Sequence, residues 1–156
     1  DFRSPFGRAA RLVEPTGRQD IARRLGSITY ALYATPDYAQ RPTEDWEFIG
    51  NEAAHPQTQL QLWLEAFAAG RPFALLCSDF YSQRAAAEAG IGIALLPERI
   101  MASSKLVRVS DERPSPRPAW LVMHADLRTS RAVRTVADYV TRLFTADAPA
   151  PVDQNR

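Results

Sequence analysis

Cysteine is almost missing from this sequence: Cys77 is the only one in 156 residues. That excludes an internal disulfide and any multi-cysteine metal site, and a lone thiol suits a reducing compartment. Lysine is as scarce, with Lys105 alone against 18 arginines, and the 25 alanines beside them point to the bias of a GC-rich genome. An excess of one charge is lacking too. Lys+Arg is 19 and Asp+Glu is 18, a net +1, whereas a chain built mainly to bind nucleic acid carries a basic excess. The longest apolar stretches are about five residues, such as Phe73 to Cys77, far short of the ~20 that span a membrane. No initiator methionine or signal-peptide pattern opens the chain at Asp1, so a piece of a longer protein is expected. What is present is ordinary globular composition, 46% hydrophobic and 24% charged, in a chain long enough to bury a sizeable core.

Periodicity predicts the elements. Residues 1–25 are arginine-rich and poorly periodic, with turn signals at Pro5, Gly7, Pro15 and Gly17, and read as loop plus an edge segment. Ile28, Tyr30 and Leu32 alternate with small or polar residues, predicting a strand over 27–34. Thr35 then Pro36 is a helix start, stopped at Arg41-Pro42. A short strand follows over 47–50, then a loop over 51–57. Residues 58–67 admit two readings: Leu60, Leu62 and Leu64 alternate like a strand, while Leu60, Trp63, Leu64 and Phe67 share a helical face. The strand is preferred. Phe73 to Cys77 reads as a fully buried strand. Ser78 or Asp79 caps a helix that ends at Gly90 and leaves Tyr81, Gln83, Arg84 and Glu88 outward. Strands are predicted over 91–96, 106–109 and 119–124, with a proline-rich connector over 110–118. Val133, Val136, Ala137, Val140, Leu143 and Phe144 then mark a final amphipathic helix. The alternation of strands and helices implies an α/β fold with a largely parallel sheet.

Chemistry is thin. Cys77 closes an apolar run beside a helix start, where a thiol can be activated, with His55 or His124 as a possible base. Free cysteine is nevertheless among the most buried residue types, and a core role is the stronger reading. The two histidines lack metal-ligand spacing, and Gly90-Ile-Gly-Ile-Ala lacks the dinucleotide pattern. No catalytic residue, metal or cofactor is expected. One polar feature remains, the helix cap at Ser78 and Asp79, where a small ligand could hydrogen-bond. Asp79 would oppose an anion there and favour a ligand with donor groups.

The run Ser82-Gln-Arg-Ala-Ala-Ala-Glu-Ala-Gly-Ile-Gly-Ile-Ala-Leu-Leu-Pro-Glu98 resembles the effector-binding domain of LysR-type transcriptional regulators. So do Leu106-Val-Arg-Val109, Trp120-Leu-Val-Met-His-Ala-Asp-Leu-Arg128 with the helix after it, and Tyr30-Ala-Leu-Tyr-Ala-Thr-Pro-Asp-Tyr38, all in consistent order across residues 21–145. The resemblance implies a two-lobed, periplasmic-binding-protein-like (type 2) α/β fold with its first lobe incomplete. Residues 1–34 and 118–145 would belong to lobe one, 35–117 to lobe two, and 146–156 to a disordered tail. It also implies a small-molecule effector held between the lobes, and a cytoplasmic homo-oligomer. DNA would be bound only through a helix-turn-helix domain absent from this sequence. On these residues the effector site is expected at Thr35, at Gly50 and Asn51, and at Ser78 and Asp79. Gly50 would let a ligand approach the backbone, and the others would supply hydroxyl, amide and carboxylate groups. A solute-binding protein of a transporter, which shares this fold, is the alternative.

Overall fold

Residues 27–34, expected as one strand, part company at Thr29. In the computed structural model, which describes residues 8–11, 20–52, 58–127 and 129–146, strand β2 (Asp20–Ile28) pairs in one sheet and β3 (Tyr30–Ala34) in another. The chain accordingly divides into two units, with boundaries after Ile28 and after Ser115. Both boundaries fall earlier than the sequence expectation, because Ser27 and Ile28 pair with Pro118 and Arg117 rather than continuing into the second sheet.

The first unit has a three-stranded antiparallel sheet in the order β1-β8-β2, with β1 at Arg8–Arg11 and β8 at Arg117–His124. β2 begins inside the stretch read as loop. Its alternation is hidden by Arg23 and Arg24 side by side, and by a bulge between Arg24 and Gly26 that shifts the side-chain period by one residue. The helix α4 (Arg131–Ala146) lies on this sheet, packing Ala137, Val140 and Phe144 against Leu25, Ala119 and Leu121. Ser130 caps it through the Val133 N–H at 3.4 Å. The rest of the expected tail lies outside the described residues.

The second unit has a five-stranded sheet in the order β5-β4-β6-β3-β7, with β4 at Phe48–Asn51, β5 at Phe73–Cys77, β6 at Ile93–Pro97 and β7 at Val107–Arg108. β4, β5, β6 and β7 run in one direction, and β3 alone is reversed, antiparallel to both β6 and β7. This sheet is largely parallel in strand direction, as expected, with one reversed strand inserted between β6 and β7. Helix α1 (Pro36–Ala39) follows β3, with Thr35 as its N-cap. Residues 58–67, preferred as strand, belong to helix α2 (Gln59–Ala68), capped by Thr58 through the Gln61 N–H at 3.2 Å. The leucine alternation is a subset of a helical stripe. Leu64 and Ala68 are buried, Trp63 stacks on Phe67, and Leu62, the middle of the alternation, is exposed. Helix α3 (Phe80–Glu88) carries Asp79 as N-cap.

The connections β4–α2–β5 and β5–α3–β6 run in opposite directions across the sheet. Right-handed crossovers therefore put α2 and α3 on opposite faces. Ile49, Ala94 and Leu96 pack against Ala86 and Ala87 of α3, while Phe48 meets Phe67 of α2 edge to face at 6.1 Å. Arg71 closes the end of α2, donating to the carbonyls of Ala68, Phe67 and Thr43 at 2.8, 2.6 and 2.9 Å. β5, expected as fully buried, is an edge strand, with Leu75 37% and Leu76 50% exposed. An apolar run states that a strand is hydrophobic but not that it is central. On α3, Gln83 is turned inward, only 5% exposed, where the sequence reading placed it outward.

Candidate functional site

Three parallel strands end at one edge of the five-stranded sheet, and β4 and β6 are neighbours whose outgoing connections diverge to opposite sides. In open α/β sheets that switch point, outside the carboxyl ends of the strands, is where ligands bind. Here it is bounded by Asn51 at the end of β4 and by Pro97 and Glu98 at the end of β6. Cys77, Ser78 and Asp79 flank it at the end of β5.

The backbone at the end of β4 is held from both faces by glutamines. Gln83 of α3 donates through Nε2 to the Gly50 carbonyl at 3.3 Å. The Asn51 N–H donates to Gln61 Oε1 of α2 at 2.9 Å, and Gln61 Nε2 donates in turn to Glu65 at 3.0 Å. The Glu52 N–H reaches the Cys77 carbonyl at 2.9 Å. With its backbone fixed in this way, the half-buried Asn51 side chain makes no hydrogen bond among the described residues. It presents an amide donor and acceptor from a rigid strand end.

Asp79 is committed to its helix. Its Oδ1 accepts from the Tyr81 and Ser82 N–H groups, both at 2.9 Å, and its Oδ2 accepts from the Ser82 hydroxyl at 2.7 Å. The Ser82 backbone and hydroxyl bonds hold the Asp79 carboxyl below its ordinary value, keeping it charged. The Ser78 hydroxyl makes only a long contact to Asp79 at 3.5 Å. The Cys77 thiol is pushed up by burial and by the carboxylates of Asp79 and Glu52. That is the wrong direction for a nucleophile, which needs a stabilised thiolate. Of the two proposed bases, His55 lies outside the described residues and His124 ends β8 in the other unit. Among the described residues no cluster of His, Cys, Asp and Glu could hold a metal ion, and no helix is long and apolar enough to cross a membrane.

Asn51, Ser78 and Asp79 thus share the carboxyl edge, and two of the expected residues behave differently. Thr35 is at the opposite edge. Tyr33 and Ile49 are both level with Ala94, so Asn51 and Thr35 lie two residues from that level in opposite directions. At 3.3 Å per residue they are about 13 Å apart along the strands, and two strands apart across them. The Thr35 hydroxyl accepts from the Tyr38 N–H at 3.3 Å, a capping role. Gly50 serves packing: a Cβ there would come within 2.8 Å of Phe73 and 2.9 Å of Leu76, so neighbouring side chains fill the space expected for a ligand.

The reading of residues missed Thr29 and Glu98. The Thr29 hydroxyl donates to Glu98 Oε2 at 2.6 Å, and the Glu98 N–H donates to the Thr29 carbonyl at 3.0 Å. Because β3 is antiparallel, its beginning, not its end, stands at the carboxyl edge. The signal for Glu98 was available: it follows Pro97 at the end of the strand predicted over 91–96.

A family model described as the LysR substrate binding domain matches residues 11–145. The chain belongs to that family. No curated protein sequence matches it. Solved structures similar to it include the regulatory domain of Synechocystis CcmR in complex with 2-PG, at 16% identity and a TM-score of 0.64, covering 88% of this chain and 73% of that one. Full-length LysG of Corynebacterium glutamicum with bound effector Arg matches at 15% identity and 0.68, covering 90% and 51%. ArgP of Mycobacterium tuberculosis matches at 20% identity and 0.68, covering 89% and 51%. The chain therefore spans about half the length of the latter two proteins. Its fold is the type 2 periplasmic-binding-protein-like α/β fold of LysR effector-binding domains.

Proposed function

We propose that this domain senses a small molecule at the carboxyl edge of β4, β5 and β6. It would do so as part of a cytoplasmic, homo-oligomeric transcription regulator whose DNA contacts are made by a separate domain. It catalyses no reaction. Asn51 orients the effector by its amide, Ser78 offers a hydroxyl, and Asp79 supplies a fixed negative charge that disfavours an anionic group at the start of α3. Thr35 and the Gly50 side-chain position are left out of the site. A bound effector shifts the population of the regulator's conformations by its differential affinity for them.

The observation that carries this reading is the Asn51 side chain, without a hydrogen bond among the described residues at the switch point while its backbone is locked by Gln61. Thermal unfolding of the protein against a panel of small polar metabolites tests it. A ligand at about 100 times its dissociation constant stabilises the folded state by about 2.7 kcal/mol, and that gain should largely vanish in Asn51→Ala. Hits that stabilise wild type and Asn51→Ala equally would remove Asn51 from the site. A panel without hits, under conditions where the protein is folded, would count against sensing itself.

A further inference from the structure

Glu98 has an unusual position: it touches both of the segments through which the chain enters and leaves the second unit. Thr29 is the first residue of that unit and Ser115 the last. One carboxylate oxygen of Glu98 accepts the Thr29 hydroxyl at 2.6 Å. The other faces Arg113 Nη1 at 3.8 Å, two residues before the exit. The two contacts differ in strength. The Thr29 bond is short and charge-assisted, between part-buried groups. The Arg113 pair is longer, its side chains 44% and 23% exposed, and so is weakened by water. The segments differ as well. The exit reads Arg113-Pro-Ser-Pro-Arg-Pro118, and each proline fixes its own φ. The entry at Thr29 contains no proline and leads into Tyr30, which is buried and paired with Pro97. Tyr33 lies in the same charged neighbourhood: its hydroxyl is pushed up by burial first and then by Glu98, against the opposing pull of Arg108 and Arg113.

We infer that Glu98 is a hinge anchor, a positioning residue whose single carboxylate holds the proline-free entry segment tightly and the proline-stiffened exit segment loosely. Its meaning for function rests on the sensing reading above, since effector-driven population shift needs linkers of defined stiffness. The anchor itself is independent of any ligand.

Hydrogen exchange on the whole chain tests it with three variants. Glu98→Ala should speed exchange of the amides of Thr29 and Tyr30, and to a lesser degree those of Arg113, Ser115 and Arg117, roughly ten-fold at the entry. The amides of β4 and α3 should not change. Thr29→Val should reproduce only the entry effect. Glu98→Gln keeps an acceptor for the Thr29 hydroxyl but loses the charge, so it should loosen mainly the exit. A structural role alone would not change the spread of distances between the units. Spin labels at Glu44→Cys and Arg134→Cys, in a Cys77→Ser background, should therefore give a broader distance distribution in Glu98→Ala than in the parent. Unchanged linker exchange in Glu98→Ala would overturn the inference. So would faster exchange throughout the second unit with an unbroadened distribution. No effector enters either measurement, so a protein that binds no metabolite would lose the sensing reading and keep the anchor.

Discussion

In the five-stranded unit Tyr30, Leu32, Phe48, Ile49, Ile93 and Leu96 are fully buried, between helices on both faces of one sheet. In the three-stranded unit the described buried apolar residues are Leu25, Ala119, Leu121, Val122 and Val133, the first three clustered under one helix. The helices reflect the contrast. α3 is small-faced, so Ala86 and Ala87 sit close against Ile49 and Ala94. α4 carries more apolar surface than its sheet covers, with Val136, Tyr139 and Leu143 about half exposed. A sheet covered on both faces holds its strand ends rigidly, and that rigidity is what a polar site on those ends requires. The candidate ligand groups stand on the unit whose core is complete within the described residues, which is the physical lesson of the difference.

The largest expected effect tests whether the two cores are separate. Phe48 packs on Phe67 and Phe73 and lies under the Arg71 guanidinium at 5.0 Å. Truncating a buried phenylalanine costs about 3–5 kcal/mol. Phe48→Ala should therefore raise amide exchange steeply across β4 and β6 and leave β2 and β8 nearly unchanged. Leu121→Ala should do the reverse, at about 2–3 kcal/mol for a smaller side chain in a thinner core. If Phe48→Ala raised exchange equally in β2 and β8, the two cores would be one cooperative system and the contrast would fail.

A smaller effect sharpens what the rigid edge does electrostatically. Asp79 has a carboxyl lowered by its bonds from Ser82 and Tyr81. A group whose folded value is below its unfolded value stabilises the fold above the unfolded value, and loses that contribution as pH falls through the folded value. Asp79→Asn keeps a capping oxygen but cannot titrate. Wild type should be the more stable of the two from neutral pH down to the ordinary carboxylate range. The advantage should disappear below Asp79's own lowered value. A constant difference across that acidic range, followed by urea unfolding at each pH, would show that capping geometry alone acts there.

Much of the second unit was legible from sequence, because its elements carry local signals: Asp79 before α3, Gly90 after it, Pro97 closing β6. The failures are of two physical kinds. Some concern neighbours that no local pattern encodes. The run Phe73 to Cys77 is equally apolar whether the strand is central or at an edge, and β3 alternates equally well in either direction. Others arise where two patterns share residues, as in α2, or where a bulge breaks the period, as in β2 around Leu25. The site inherited the first kind of error. The family resemblance placed the site at Thr35, at the end of the strand predicted over 27–34, whereas the antiparallel β3 brings Thr29, at its start, to the carboxyl edge. Asn51 stands at the carboxyl edge because β4 is parallel to β5 and β6.

Thr35 and Asn51 therefore make the finest test of the comparison, because they are two polar residues at strand ends with opposite duties. Thr35 satisfies the Tyr38 N–H, and loss of an N-cap costs about 1 kcal/mol. Thr35→Ala should lower stability by about that much, and leave the stabilisation by any panel metabolite intact, since the cap stands at the far edge of the sheet. Asn51→Ala removes an amide with no partner among the described residues, while the backbone N–H that Gln61 holds stays in place. Its effect on stability should be within about 0.5 kcal/mol, as for a substitution away from any structural network. Denaturant unfolding without ligand gives both numbers, and the same experiment with a hit metabolite separates the roles. The structure would be misread if Asn51→Ala cost as much as Thr35→Ala in the absence of ligand, because the amide would then be holding the fold rather than waiting for an effector.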